Sequence, residues 1–119
     1  MNWYLTKLVF RIICGDGDHT PQFDEQLRLI SASSKEEAFK KARHAGEKDE
    51  ETFYNRKQQL VQWQFINVSE IYKISELIDG AELYSRIEER DNEEAYIHVV
   101  NQKARNILFT QTHQLLQLA

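Results

Sequence analysis

The chain has 119 residues, 41% of them hydrophobic and 29% charged, the balance of a folded chain with one core rather than a disordered one. Its 19 acidic residues outweigh 15 basic ones, and the nearest basic cluster is Arg56-Lys57, so the counterion release that drives nucleic-acid binding is disfavoured. A single Cys excludes an internal disulfide and points to a reducing, cytoplasmic location.

Residues 2–14 place Tyr4, Leu8, Phe10 and Ile12 on one alternating face and Trp3, Leu5, Val9 and Ile13 on the other. Two apolar faces rich in β-branched and aromatic residues predict a well-covered central strand. The same run lacks a basic leader and a cleavage site, and Lys7 and Arg11 interrupt it. No apolar run reaches the roughly 18 residues of a membrane span, so no membrane partner is expected.

The stretch "CGDGDHTPQFDE", residues 14–25, gathers a thiol, carboxylates and an imidazole. Asp16, Asp18 and His19 offer oxygen and nitrogen ligands that Asp24 or Glu25 could complete. The calcium-loop pattern fails, because Thr20 stands at its third ligand position, Pro21 follows and the terminal Glu is missing. Zinc would need a second His or Cys at short spacing. Gly and Asp are also what a turn selects, and that reading is favoured; no metal and no cofactor is assigned. Cys14, ending an apolar strand, reads as a small hydrophobe rather than a nucleophile paired with His19.

Beyond the turn, Phe23, Leu27 and Leu29 alternate with polar neighbours, the pattern of a second, half-buried strand and hence of a hairpin. In such a hairpin Arg11 faces Asp24 or Glu25, depending on register, so a cross-strand ion pair is expected. Arg11, Asp16, Asp18, His19, Asp24 and Glu25 are therefore the ligand-binding candidates.

Ser34 with Glu37 forms a capping box for a helix carrying Ala38, Phe39, Ala42 and Ala45 on one stripe. Glu36–Lys40 and Glu37–Lys41 are i,i+4 pairs, and Gly46 is the expected stop. The acidic run Glu47–Glu51 reads as a solvated connector, with a short extra strand over residues 52–55 as an option. Between Leu60 and Ile74 the apolar positions change face, from Val61, Trp63 and Phe65 to Ile66 and Val68, which predicts a bulge or a strand buried on both sides. Asp79-Gly80 suggests a type I′ hairpin turn leading to a last strand around Leu83–Ile87. Asp91 with Glu94 caps a second helix whose buried stripe is Ile97, Val100, Ala104, Ile107 and Leu108. His44, His98 and His113 lie too far apart to form a ligand pair.

The fold expected over a single 1–119 domain is α+β: an antiparallel sheet of four to five strands in β-β-α-β-β-α order, with two helices packed on one face. The segments "NWYLTKLVFRI", "HTPQFDEQLRLI" and "VQWQFINVSEIYKISELIDGAELYSRIEE" resemble a family of short bacterial proteins known as a domain of unknown function, DUF4288. The resemblance implies a bacterial protein of about this length and supplies no activity, ligand or catalytic residue.

Without a catalytic pair, an enzyme is the less favoured class. The favoured function is a non-enzymatic cytoplasmic binding or self-assembling module, with Trp3, Tyr4, Trp63, Phe65, Tyr72 and Tyr84 as core or as a contact face. The apolar tail 109–119, with Phe109, Leu115, Leu116 and Leu118, is the expected oligomer contact, so the expected partners are further copies of the chain or another protein. Two alternatives stand beside it. One is an acidic inhibitor- or immunity-like protein whose Glu47–Glu51 run meets a basic partner; the other is a metal-assisted enzyme using the 16–25 loop.

Overall fold

The structure is a computed structural model that describes residues 1–109. Its elements are β1 (Asn2–Cys14), β2 (Gln22–Ala32), α1 (Lys35–Lys48), β3 (Glu51–Tyr54), β4 (Leu60–Ile74) and α2 (Glu93–Phe109). They fall into two compact units, Met1–Ser85 and a second that begins at Arg86. The first holds an antiparallel sheet in the order β2-β1-β4-β3, and the fold is α+β.

β1 is central, as its two apolar faces predict. It pairs with β2 in one unbroken register, from Asn2 opposite Ala32 to Ile12 opposite Gln22. Its pairing with β4 shifts twice, leaving Ile66 and Ser69 without a partner residue on β1. Each extra residue reverses the alternation of faces. Trp63 and Phe65, then Val68, then Ile71 thereby all meet the same side of the sheet, which resolves the change of face read from the sequence.

That side packs against α1. Tyr4, Ala32 and Ala38 form one buried cluster, and Leu8, Phe10 and Ala42 another, with Phe65, Trp63 and Val68 against it. Phe10 and Phe65 meet edge to face at 5.5 Å. Thr6, fully buried among them, donates its hydroxyl to the Arg28 carbonyl at 3.0 Å, so no buried polar group is stranded there.

Helix α1 begins as the capping box predicts, with Ser34 Oγ accepting from the Glu37 N–H at 3.1 Å. The return arm reaches one residue further back. Glu37 Oε2 accepts from the backbone N–H and hydroxyl of Ser33, and these bonds hold its carboxyl below the usual carboxylate range. Lys41 turns to the Ser31 carbonyl, while Arg43 and Glu47 make an i,i+4 ion pair at 3.4 Å. Gly46 is not the stop. The helix runs on to Lys48, and Asp49 closes it by donating its N–H to the Ala45 and Gly46 carbonyls. Gly46 serves close approach instead: a Cβ there would lie 2.3 Å from the Phe65 ring.

Other expectations are corrected. The optional short strand does form, as β3, whereas the expected last strand Leu83–Ile87 carries no regular secondary structure. Asp79-Gly80 does turn the chain, with the Ala81 N–H donating to the Ile78 carbonyl. Only Gly80 has a positive φ, of 84°, so the turn lacks the two left-handed residues of type I′. Helix α1 packs on one face of the sheet.

In the second unit α2 is capped by Asn92 rather than Asp91: Asn92 Oδ1 accepts from the Ala95 N–H at 3.0 Å. Among the described residues none of α2 is buried, the expected stripe Ile97, Val100, Ala104, Ile107 and Leu108 included. Arg90 lies over the Tyr96 ring, 5.0 Å from its centroid. Phe109 is exposed; Leu115, Leu116, Leu118 and His113 lie outside the described residues.

Substituting Gly46 by Ala tests the close approach. Helix propensity alone would favour Ala by ~1 kcal/mol. The Phe65 ring, held against Phe10, opposes it, and overpacking of this kind costs about 1–3 kcal/mol. Gly46→Ala is therefore expected to lower the midpoint of urea unfolding, and adding Phe65→Leu to recover part of the loss.

Candidate functional site

The 14–25 stretch is built as a turn. Gly15 and Gly17 take φ of 60° and 84°, which a side chain would resist. The Gly17 N–H donates to the Cys14 carbonyl at 3.0 Å, and Asp16 Oδ1 accepts from the Asp18 N–H at 3.0 Å. His19 closes the loop with both ring nitrogens. Nε2 accepts from the Cys14 N–H at 2.9 Å, so the ring proton sits on Nδ1, which is 2.8 Å from the Thr20 carbonyl. A metal at either nitrogen would displace one of these bonds.

The six candidate residues do not converge. Asp16, Asp18 and His19 stay in the turn. Asp24 sits opposite Phe10, on the α1 face, where its Oδ2 accepts from Gln26 at 2.6 Å and from the Trp63 indole at 3.2 Å. Arg11 and Glu25 share the other face but oppose Phe23 and Val9 respectively. The register thus separates the expected ion pair, and Arg11 donates to Gln64 Oε1 at 3.0 Å instead. Among the described residues no three His, Cys, Asp or Glu gather closely enough to hold a metal ion.

Two arrangements escaped sequence reasoning. On the α1 face, Trp63 stacks on Phe53 at 6.4 Å beside a cleft that Asp24, Arg28, Asp49 and Glu51 also line. Arg28 pairs with Asp49 at 2.6 Å, and Glu50 accepts from the Phe65 N–H, so part of the acidic run is engaged within the fold. On the opposite face, Lys7 pairs with Glu70 at 2.6 Å, and Glu70 accepts from the Tyr72 hydroxyl. Tyr84 packs edge-on against Tyr72 at 5.2 Å. The bond to Glu70, with burial and the carboxylate charge, pushes the Tyr72 hydroxyl up to about 12, and the same carboxylate raises Lys7. The available signal was Lys7 inside an apolar strand, a charge that needs a partner once the strand is central.

The face opposite α1 carries the main surprise. Leu5 and Ile74 are buried near one end. Along β2, however, Phe23 and Leu27 are each 57% exposed and Leu29 is 47% exposed. The polar residues between them, Asp24, Gln26 and Arg28, are the half-buried ones. The alternation is the one expected, but the helix covers its polar side.

The first unit is thus an α+β domain with a helix on one face of a four-stranded antiparallel sheet and an exposed apolar ribbon along the other face of its long edge strand. The chain belongs to the domain of unknown function family DUF4288, which matches residues 3–85, the span of that compact unit. No curated protein and no solved structure matches it.

Two measurements check this geometry. His19→Ala leaves the Cys14 N–H without its acceptor and should cost about 1 kcal/mol of stability. In the ultraviolet titration of the five tyrosines, one should ionise near 12, and Tyr72→Phe should remove that step.

Proposed function

We propose that the protein is a non-enzymatic, cytoplasmic binding module whose contact surface is the sheet face opposite α1. The observation that carries the reading is the inverted exposure of β2: Phe23, Leu27 and Leu29 lie in water while Asp24, Gln26 and Arg28 are half-buried. Burying one such side chain is worth roughly 1.5–3 kcal/mol, so leaving three of them wet on one strand forgoes stability that a partner can recover. Apolar stripes rimmed by polar groups are what contact surfaces look like, and here Lys7, Arg11 and Gln64 flank the stripe while Glu25 stands within it. The single free Cys14 supports a reducing compartment.

The acidic-inhibitor reading is less well supported. Asp49 and Glu50 are engaged by Arg28 and the Phe65 N–H, which draws them away from a basic partner.

The test separates a contact surface from a core. The triple variant Phe23→Ser, Leu27→Ser, Leu29→Ser should keep its melting temperature within a few degrees, whereas Leu8→Ala in the buried cluster should lose about 2–5 kcal/mol. A photoreactive side chain in place of Leu27 should give a discrete adduct in cells, and one in place of exposed Lys35 should not. Absence of an adduct at Leu27, or equal adducts from both positions, would overturn the proposal.

A further inference from the structure

We infer that a second copy of the chain adds edge to edge along β2, antiparallel, with Gln26 opposite the partner's Gln26. The inference rests on the reading of the β2 face as a contact surface, because this pairing sets that face beside its own copy and joins the two into one continuous surface.

The two edges of the sheet are unequal. β3 is four residues long, a common way to keep an edge from pairing. β2 is eleven residues long, contains no Pro or Gly, and holds an unshifted register with β1 along its length. It has neither a bulge nor a Lys to blunt it, and on the face opposite α1 it carries Phe23, Leu27 and Leu29 with Glu25 among them. An edge of this kind presents a regular row of backbone donors and acceptors to another strand.

Charge selects the partner and the register. Two copies of one edge strand pair about a two-fold axis perpendicular to the sheet, which keeps each face continuous, so residue i meets a partner residue of the same parity. Centring the pair on Glu25 or on Arg28 sets like charges against each other; centring it on Leu27 sets both Asp24 and Glu25 against apolar groups, Ile30 and Leu29, and forms no ion pair. Centring it on Gln26 places Asp24 opposite the partner's Arg28, twice by symmetry, and Phe23 opposite the partner's Leu29, also twice. This arrangement aligns opposite charges on the α1 face and Phe23 with Leu29 on the other, both favourable cross-strand pairs, with Glu25 opposite the partner's Leu27. Within its own chain Asp24 accepts both its bonds on Oδ2, and Arg28 is held by Asp49 and Gln26, so the cross-strand pair would extend an existing polar network. The strand is complementary to itself.

A charge-swap cycle tests this on the full chain by sedimentation equilibrium, with thermal melts confirming that each variant is folded. Asp24→Arg and Arg28→Asp should each weaken the dimer by about tenfold or more, by setting like charges opposite each other twice. The double variant should restore it. Direct pairing of the two side chains within one chain is excluded, because positions 24 and 28 of a strand are roughly 13 Å apart, and the melts report any change in the Gln26 bridge between them. The register has its own readout. In a Cys14→Ser background, Gln26→Cys should oxidise to a covalent dimer, since directly opposed residues fall within disulfide reach, and Ser31→Cys should not. A wild-type chain that stays monomeric at high concentration would overturn the inference. So would a dimer indifferent to the swaps, or one lost only when the chain ends at Leu108. If the Leu27 adduct in cells then contained a different protein, the contact-surface reading would stand with another occupant.

Discussion

Phe65 lies against the bare backbone of Gly46, and from that contact follows which side of the sheet is inside. The Phe65 ring can lie this close to the helix because Gly46 lacks a Cβ, and it belongs to the β4 face shared with Tyr4, Leu8 and Phe10 of β1. Because opposite residues of antiparallel strands share a face, fixing that side for β1 fixes it for β2 as well. Asp24, Gln26 and Arg28 are thereby turned toward the helix, and Phe23, Leu27 and Leu29 away from it.

The polar groups drawn to the helix side are accommodated rather than tolerated. Arg28 reaches Asp49 just past the helix end, Gln26 bridges Arg28 and Asp24, and Asp24 takes the Trp63 indole. This chain of charge-assisted bonds lets the β2 end of the α1 layer be polar without stranding a donor. A comparable solution appears on the other face, where Lys7, at the centre of an apolar strand, is held by Glu70, which also takes the Tyr72 hydroxyl.

Much of this architecture was legible in the residues. The two-sided apolar character of residues 2–14 marked the central strand, the Ser34–Glu37 box marked the start of α1, and the change of face after Phe65 left a bulge as one of two readings. What remained hidden depended on tertiary context. Alternation reveals that a strand has two unlike faces but not which of them meets the helix, so the exposure of Phe23, Leu27 and Leu29 had no local signal. Gly46 has the same composition as a helix stop and as a close-packing residue; only Phe65, nineteen positions on, decides between them. The Leu83–Ile87 alternation was real as a pattern yet forms no strand, while the short β3 gained its place by pairing with β4. In the candidate site, the turn was readable from Gly15, Asp16 and Gly17. The fate of Arg11 hinged on a one-residue register that spacing alone leaves open.

The paired bulges of β4 have a consequence for how the family's sequence can vary in length. Ile66 and Ser69 each invert the alternation, and two inversions cancel, so the strand enters and leaves the sheet in phase. Removing one of them would act on the fold as a frameshift acts on a gene: every side chain beyond the deletion would exchange inside for outside, although its own codon was untouched. Removing both would leave the ends in phase and disturb only the few residues between. Length change in this strand is therefore quantised in twos, a constraint that belongs to the pleat and not to any single residue.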